Sequence, residues 1–300
     1  MPGGFYHQCC AERACAVSGI TPVRMEAFRL GAQGPDPLFL IGMFPLSLKS
    51  RPSKLAGAMH KRRTGQFICA LAREAKKAGD VERAYVLGYL THYAIDSAVH
   101  PYVYSQSYDK KGRYSSPKHM GMERGWDTEM WRAAGRRGTP EAMPCLKEAR
   151  ADWPQAAALI AAAAGETYPE LSITPGAVAR GYADACRANR LTHSPAGVKY
   201  ALYWLLERLA LRPGLITAQC CPKRPRRGDT MNREGRAWRS AAEPDRERRE
   251  GVEELTAQGV RRAAQLMQAA KDYFDGEMDE KRFAAVVGNF GMDTGAKSLE

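Results

Sequence analysis

Three hundred residues with 44% hydrophobic content are enough for one large domain or two smaller ones. A net charge of +12 favours anionic partners, phospholipid surface or nucleic acid, without choosing between them. No apolar run approaches the ~20 residues that span a bilayer, and the opening MPGGFYHQCC has no hydrophobic signal core, so the chain reads as cytoplasmic, with a peripheral place at a membrane open to it.

The N-terminal stretch carries His7 and continues as an Ala- and Cys-rich helix from about Gln8 to Val17. Alone, His7 is an exposed terminal histidine unless other ligands join it. The eight cysteines include the pairs Cys9-Cys10 and Cys220-Cys221 but no CxxC and no zinc-finger spacing. They read as thiols rather than a disulfide framework. Gly34-Pro35-Asp36-Pro37 is a proline-stiffened turn that presents Asp36 either as a helix cap or as a ligand. Leu38 to Phe44 is strongly apolar and suits a core or a wall for an acyl-bearing molecule.

Leu55 to Gly79 reads as one helix with His60 near its start and a lysine pair before a terminating glycine. The next helix, from about Val81, contains GYLTHYAIDSAVHP, with Pro101 as its end or a kink. His92, Asp96 and His100 are spaced four and four, which puts them on one face of a helix. The rest of that helix is apolar and belongs inside. Buried polar groups without partners are strongly penalised, and metal coordination removes that cost.

Tyr102 to Lys118 reads as a polar, aromatic loop. His119 and Glu123 then repeat the four-residue spacing on a new helix, with Trp126, Met130 and Trp131 beyond. Helices are expected over Trp153–Ala164, Pro175–Asn189, Pro195–Leu211 and Val252–Phe274. The third should pack Tyr200, Leu202, Tyr203, Leu205, Leu206 and Leu209. His193 sits in a Thr-His-Ser-Pro turn and stays outside the site. Pro222 to Arg227, PKRPRR, reads as a solvated basic connector. Residues 1–290 form the expected folded unit, and the tail 291–300 should fray. No convincing β alternation, nucleotide-binding glycine motif or internal repeat is visible.

Five of the six histidines fall in the first 119 residues. Asp36, Asp96 and Glu123 complete an N/O donor set without thiolate. Imidazole mixed with carboxylate suits zinc, or manganese or iron, and the set exceeds what one tetrahedral ion needs. Clustered ions of this kind cleave phosphate esters.

HxxxDxxxHP in this helix, the downstream HxxxE, the upstream GPD and the N-terminal His together resemble the zinc-dependent phospholipase C family of bacteria. GAQGPDPLF resembles its Gly-Pro-Asp ligand turn, Met59-His60 its next ligand, and NREGRAW (Asn232 to Trp238) a segment of its non-secreted members. The resemblance implies a single all-α, multi-helix domain of the kind shared with tri-zinc single-strand nucleases. It implies one zinc ion held by Asp36, His60, His92 and Asp96 and a second held by His100, His119 and Glu123. A third position would use His7 and Asp96; secreted members complete it with an N-terminal Trp, and this chain has none near its start. The implied reaction is phospholipase C-type cleavage of a phospholipid to diacylglycerol and a phosphorylated head group. A zinc-bound hydroxide would attack phosphorus, with Asp36 both ligand and base.

Two other functions fit the same residues. A zinc-dependent single-strand nuclease would exploit the positive charge, although no aromatic and basic residues interleave to stack bases. A non-catalytic metal-holding domain would dock on an anionic membrane surface.

Overall fold

A computed structural model of the chain describes residues 3–44, 53–109, 111–224 and 228–300. In chain order the α-helices are α1 (Gly4–Ser18), α2 (Met25–Gly31), α3 (Lys54–Lys61), α4 (Thr64–Lys76), α5 (Asp80–Gln106) and α6 (Ser116–Ala133). They continue with α7 (Cys145–Glu148), α8 (Trp153–Thr167), α9 (Pro175–Thr192), α10 (Val198–Leu209), α11 (Val252–Asp275) and α12 (Glu280–Val287). An antiparallel ribbon of β1 (Trp238–Ser240) and β2 (Glu243–Arg248) lies between α10 and α11. The fold is all-α.

α5 is the axis. It is apolar around most of its circumference and buried from Ala84 through Asp96 without a break, as a helix surrounded by other helices must be. α11 and α2 cover it most extensively, and α1, α4, α8 and α6 complete the casing. The α2 contact is backbone to backbone. A Cβ on Gly31 would lie 2.0 Å from the Tyr85 carbonyl oxygen, and one on Gly88 would lie 2.0 Å from that of Phe28. Only glycine fits at both places.

Pro101 neither ends α5 nor opens the expected loop at Tyr102, because the helix runs on to Gln106. A proline removes one backbone bond, and the packing around a 27-residue helix outweighs that loss. The connection is therefore shorter than expected. α6 begins at Ser116 with the Ser115 hydroxyl accepting from the Lys118 amide at 3.4 Å.

Three further expectations are corrected. The predicted Leu55–Gly79 helix is two helices, broken where Arg62 is extended and Arg63 has φ 47°. The break is imposed by the C-terminal tail: Leu299 donates to the Lys61 carbonyl at 2.8 Å, and Arg63 donates to that of Leu299 at 2.7 Å. The tail accordingly does not fray: Met292 is fully buried and donates to the His60 carbonyl at 2.8 Å. The leucines of α10 do not pack a core. Leu202, Leu205, Leu206 and Leu209 are exposed, and the buried residue of that helix is Glu207. The basic connector lies partly outside the described residues.

Candidate metal centre

The four-residue spacing on α5 puts His92, Asp96 and His100 on one face, and all three are at most 1% exposed. Five elements bring partners to that face. α1 presents His7, and a 3₁₀ turn at Asp36–Leu40 presents Asp36 as its first residue. α3 supplies His60, α6 supplies His119 and Glu123, and the returning tail supplies Asp293. Every residue that the sequence singled out is therefore in one buried cluster.

Asp36 Oδ1 lies 3.3 Å from His60 Nε2 and 3.7 Å from His92 Nε2. Asp96 is the hub. Its Oδ2 is 3.0 Å from His92 Nε2, 3.8 Å from His60 Nε2 and 3.5 Å from His100 Nδ1, while its Oδ1 is 3.1 Å from His7 Nε2. Glu123 Oε1 lies 2.9 Å from His119 Nε2 and 3.5 Å from His100 Nε2. Donor atoms of Asp36, His60, His92 and Asp96 all fall within 4.8 Å of one another, as do those of His100, His119 and Glu123. His7 stacks on His92 with ring centroids 4.1 Å apart.

Backbone carbonyls orient three of the imidazoles. Nδ1 of His60, His92 and His100 faces the carbonyl oxygen of Ala56 (2.7 Å), Ala32 (3.2 Å) and Met292 (3.1 Å) respectively. Donation from Nδ1 leaves the inward Nε2 as a lone-pair donor, the arrangement that second-shell carbonyls impose on metal ligands. These three Nε2 atoms, Asp36 Oδ1 and both Asp96 oxygens are buried and make no hydrogen bond among the described residues. So many inward-facing donors left without hydrogen bonds fit a cation and suit little else.

The charges agree. Burial alone would lower His60, but the Asp36 carboxylate beside it, 3.3 Å away, pushes it up to about 9. His92 is raised the same way, by Asp96 and then Asp36 against burial. Against its own burial Asp96 is held well below the carboxylate range by His100, His92 and His7, and Glu123 by His119. The cluster balances ionised carboxylates with protons, and a divalent cation replaces such protons directly.

Asp36, His60, His100, His119 and Asp293 line a cavity of about 670 Å³, with the rest of the cluster buried behind them. Phe39, Leu40 and Met43 give it an apolar lining, and Tyr104, Tyr108 and Tyr114 line it as well. Lys61 and Asp293 stand at the edge, paired at 3.2 Å. Two clefts of similar size, beside Arg73 and beside Asn232, hold no comparable ligand group among the described residues.

Asp293 was not read from the sequence. It sits 3.9 Å from His100 Nδ1, and no spacing in GMDTG signals it. Arg124 and Asp127, paired at 3.1 Å and buried, were missed as well. Asp127 accepts from the Tyr6 amide at 2.9 Å, which ties α1, and with it His7, to α6.

A buried cluster of imidazoles and carboxylates beneath a cavity suits metal ions, and the family that the chain matches makes it a metal-dependent hydrolase. The family model for zinc-dependent phospholipase C matches residues 7–162, and the chain belongs to that family. No curated protein and no solved structure matches it. The match contains the whole cluster except Asp293. The likeness at Asn232–Trp238 lies beyond it, and there the Asn232 amide nitrogen serves the fold, donating to the carbonyls of Arg236, Arg249 and Glu250. Among the described residues no helix is long and apolar enough to cross a membrane.

Proposed function

We propose that the protein hydrolyses phosphodiesters with zinc and that its substrate is a phospholipid, cleaved to diacylglycerol and a phosphorylated head group. The observation that carries this reading is the adjacency of the ligand cluster to an apolar wall: Asp36 opens the 3₁₀ turn whose Phe39 and Leu40, with Met43 just beyond, line the same cavity. Acyl chains use such a wall and nucleotides do not.

Asp36, His60, His92 and Asp96 would hold one ion, and His100, His119 and Glu123 a second; His7 with Asp96 is the third position. Bound zinc would lower the pKa of an attacking water and stabilise charge on the phosphoryl oxygens. The chain's own residues set the geometry. The carbonyls of Ala32, Ala56 and Met292 fix the ring orientations, Asp96 bridges the two groups, and Asp36 accepts the proton of the attacking water. Lys61 at the cavity edge offers a cation to the substrate phosphate. A nuclease reading draws some support from Tyr104 and Tyr114, stacked at 5.6 Å beside the cluster, since such rings also stack bases.

One experiment separates these. Zinc-loaded protein is incubated with phosphatidylglycerol, phosphatidylcholine and single-stranded DNA, each with and without chelator. The expected result is chelator-sensitive release of diacylglycerol, faster from the anionic lipid. Phe39→Ser should weaken lipid turnover more than turnover of a soluble diester. The soluble diester reports any loss through His60, whose ring lies 5.2 Å from that of Phe39. DNA cleavage without lipid cleavage would replace this reading by the nuclease. Full zinc occupancy with no turnover would leave a metal-holding domain.

A further inference from the structure

α10 is an amphipathic helix turned inside out. At about 100° per residue, Val198, Leu202, Leu205, Leu206 and Leu209 fall within an arc of about 100°. That arc faces solvent: the five side chains are 73, 53, 50, 52 and 74% exposed. The opposite face carries Glu207, which is buried. Its carboxylate accepts from the Gly214 amide at 2.8 Å, the Thr217 amide at 2.7 Å, the Thr217 hydroxyl at 2.6 Å and the Ile216 amide. The helix is thus locked in an orientation that keeps its leucines outward. A contiguous exposed apolar patch of this kind marks an interaction surface.

We infer that α10 docks the protein on an anionic lipid bilayer, lying in the interface with its leucine stripe inserted. Charge identifies the occupant. Lys199 and Arg208 flank the stripe about 80–100° to either side, where their stems can lie along the apolar boundary and their charges meet phosphates. The Arg208 guanidinium is spread over the ring of the half-exposed Trp204 at 4.8 Å, a contact on the side of the helix away from the stripe. Arg212, Lys223 and Arg224 are exposed nearby, and between residues 197 and 224 the one acid is Glu207, facing inward. A second copy of the chain would have to set these cations against themselves with no carboxylate to pair them. The stripe is also placed for the chemistry. The segment held by Glu207 leads into the 3₁₀ turn Thr217–Gln219, which packs on α6, the bearer of His119 and Glu123, and Gln219 lines the cavity. The inference deepens the phospholipase reading and rests on it for its purpose, though not for its measurement.

The test is co-sedimentation of zinc-loaded protein with phosphatidylglycerol and phosphatidylcholine vesicles over a range of salt. Turnover of bis(p-nitrophenyl) phosphate and sedimentation velocity are measured alongside. Wild-type protein should bind the anionic vesicles preferentially and release with salt. The double variant Leu202→Ser/Leu209→Ser should lose at least about tenfold in partitioning, and Lys199→Glu/Arg208→Glu should lose the anionic preference. Both should turn over the soluble diester as wild type, because none of the four residues touches the cluster. Vesicle binding through α10 without diacylglycerol release would uphold the docking and remove the phospholipase reading. Unchanged binding by the leucine variant would overturn the inference, as would a wild-type dimer that this variant dissociates.

Discussion

Gly34→Ala tests whether the turn before Asp36 is moulded to the metal cluster. Gly34 has φ 54°, and a Cβ there would fall 2.2, 2.4 and 2.6 Å from Cδ2, Cγ and Nε2 of His92. Ordinary contact needs roughly 3.5 Å, so the ring would have to retreat by more than about 1 Å. It has nowhere to go. His92 is wholly buried, held at Nδ1 by the Ala32 carbonyl, at Nε2 by Asp96, and on one face by His7. Left-handed backbone costs alanine about 1–2 kcal/mol, offset by about 0.4–1 kcal/mol of lost unfolded-state freedom. Overpacking adds about 1–3 kcal/mol. Gly19→Ala is the control: φ is 70° and nothing lies within 4 Å of the added methyl, so only the backbone terms apply. The pair should differ by about 1–3 kcal/mol in chemical denaturation. In competition with a chromophoric chelator, Gly34→Ala should bind zinc at least about tenfold more weakly, while Gly19→Ala binds as wild type. Equal stability and equal zinc affinity in the two variants would refute the argument that this turn supports His92.

Protein supplemented with zinc should carry at least two equivalents by mass spectrometry, and Asp96→Ala should lose the most, because that carboxylate faces four imidazoles; under one equivalent in wild type would remove the metal-centre reading. His119→Ala should lower both zinc content and turnover, whereas His193→Ala should change neither, its Nε2 facing the Thr139 carbonyl at 3.1 Å far from the cluster in sequence and cavity. The bonds that Glu207 accepts hold its carboxyl below the usual range against the effect of burial. The stability it contributes is therefore present above the ordinary glutamate pKa of about 4.3 and is lost as pH falls through the lowered value. Protection of the Gly214 and Thr217 amides, taken relative to the intrinsic exchange rate at each pH, should be low at neutral pH in Glu207→Gln and should fall in wild type only under acid; equal protection in both at pH 7 would contradict the clasp.

How much of this was legible in the sequence depends on how far apart the cooperating residues lie. His92, Asp96 and His100, and again His119 and Glu123, declare themselves because helical spacing alone decides that they share a face. Asp36 was ambiguous between cap and ligand, and only the packing of its turn against α3 and α9 turns it toward His60 and His92. His7 carried no local signal; it matters because α1 crosses α5 and is pinned by Asp127. Asp293 is the extreme case. Glycines and a threonine around it suggest a loose end, and what orders the tail is pairing with residues 60–63, more than two hundred positions away.

The inversion of α10 has a different origin. Periodicity tells that leucines at 202, 205, 206 and 209 form a stripe, but it is silent about the medium that covers the stripe. Helices of a globular protein usually turn such a face to the core, so burial was the natural expectation. The deciding residue is Glu207 on the other face. Its carboxylate finds amides and a hydroxyl in the segment 214–217, and satisfying a charge with several donors outweighs leaving leucines in water. A helix can hold that orientation steadily if its apolar face finds cover elsewhere, and with cations on both flanks the cover that fits is a negatively charged lipid surface. The same substitution at Glu207 that frees the 214–217 segment should therefore also weaken vesicle binding, by releasing the clasp on the face of α10 opposite its leucines.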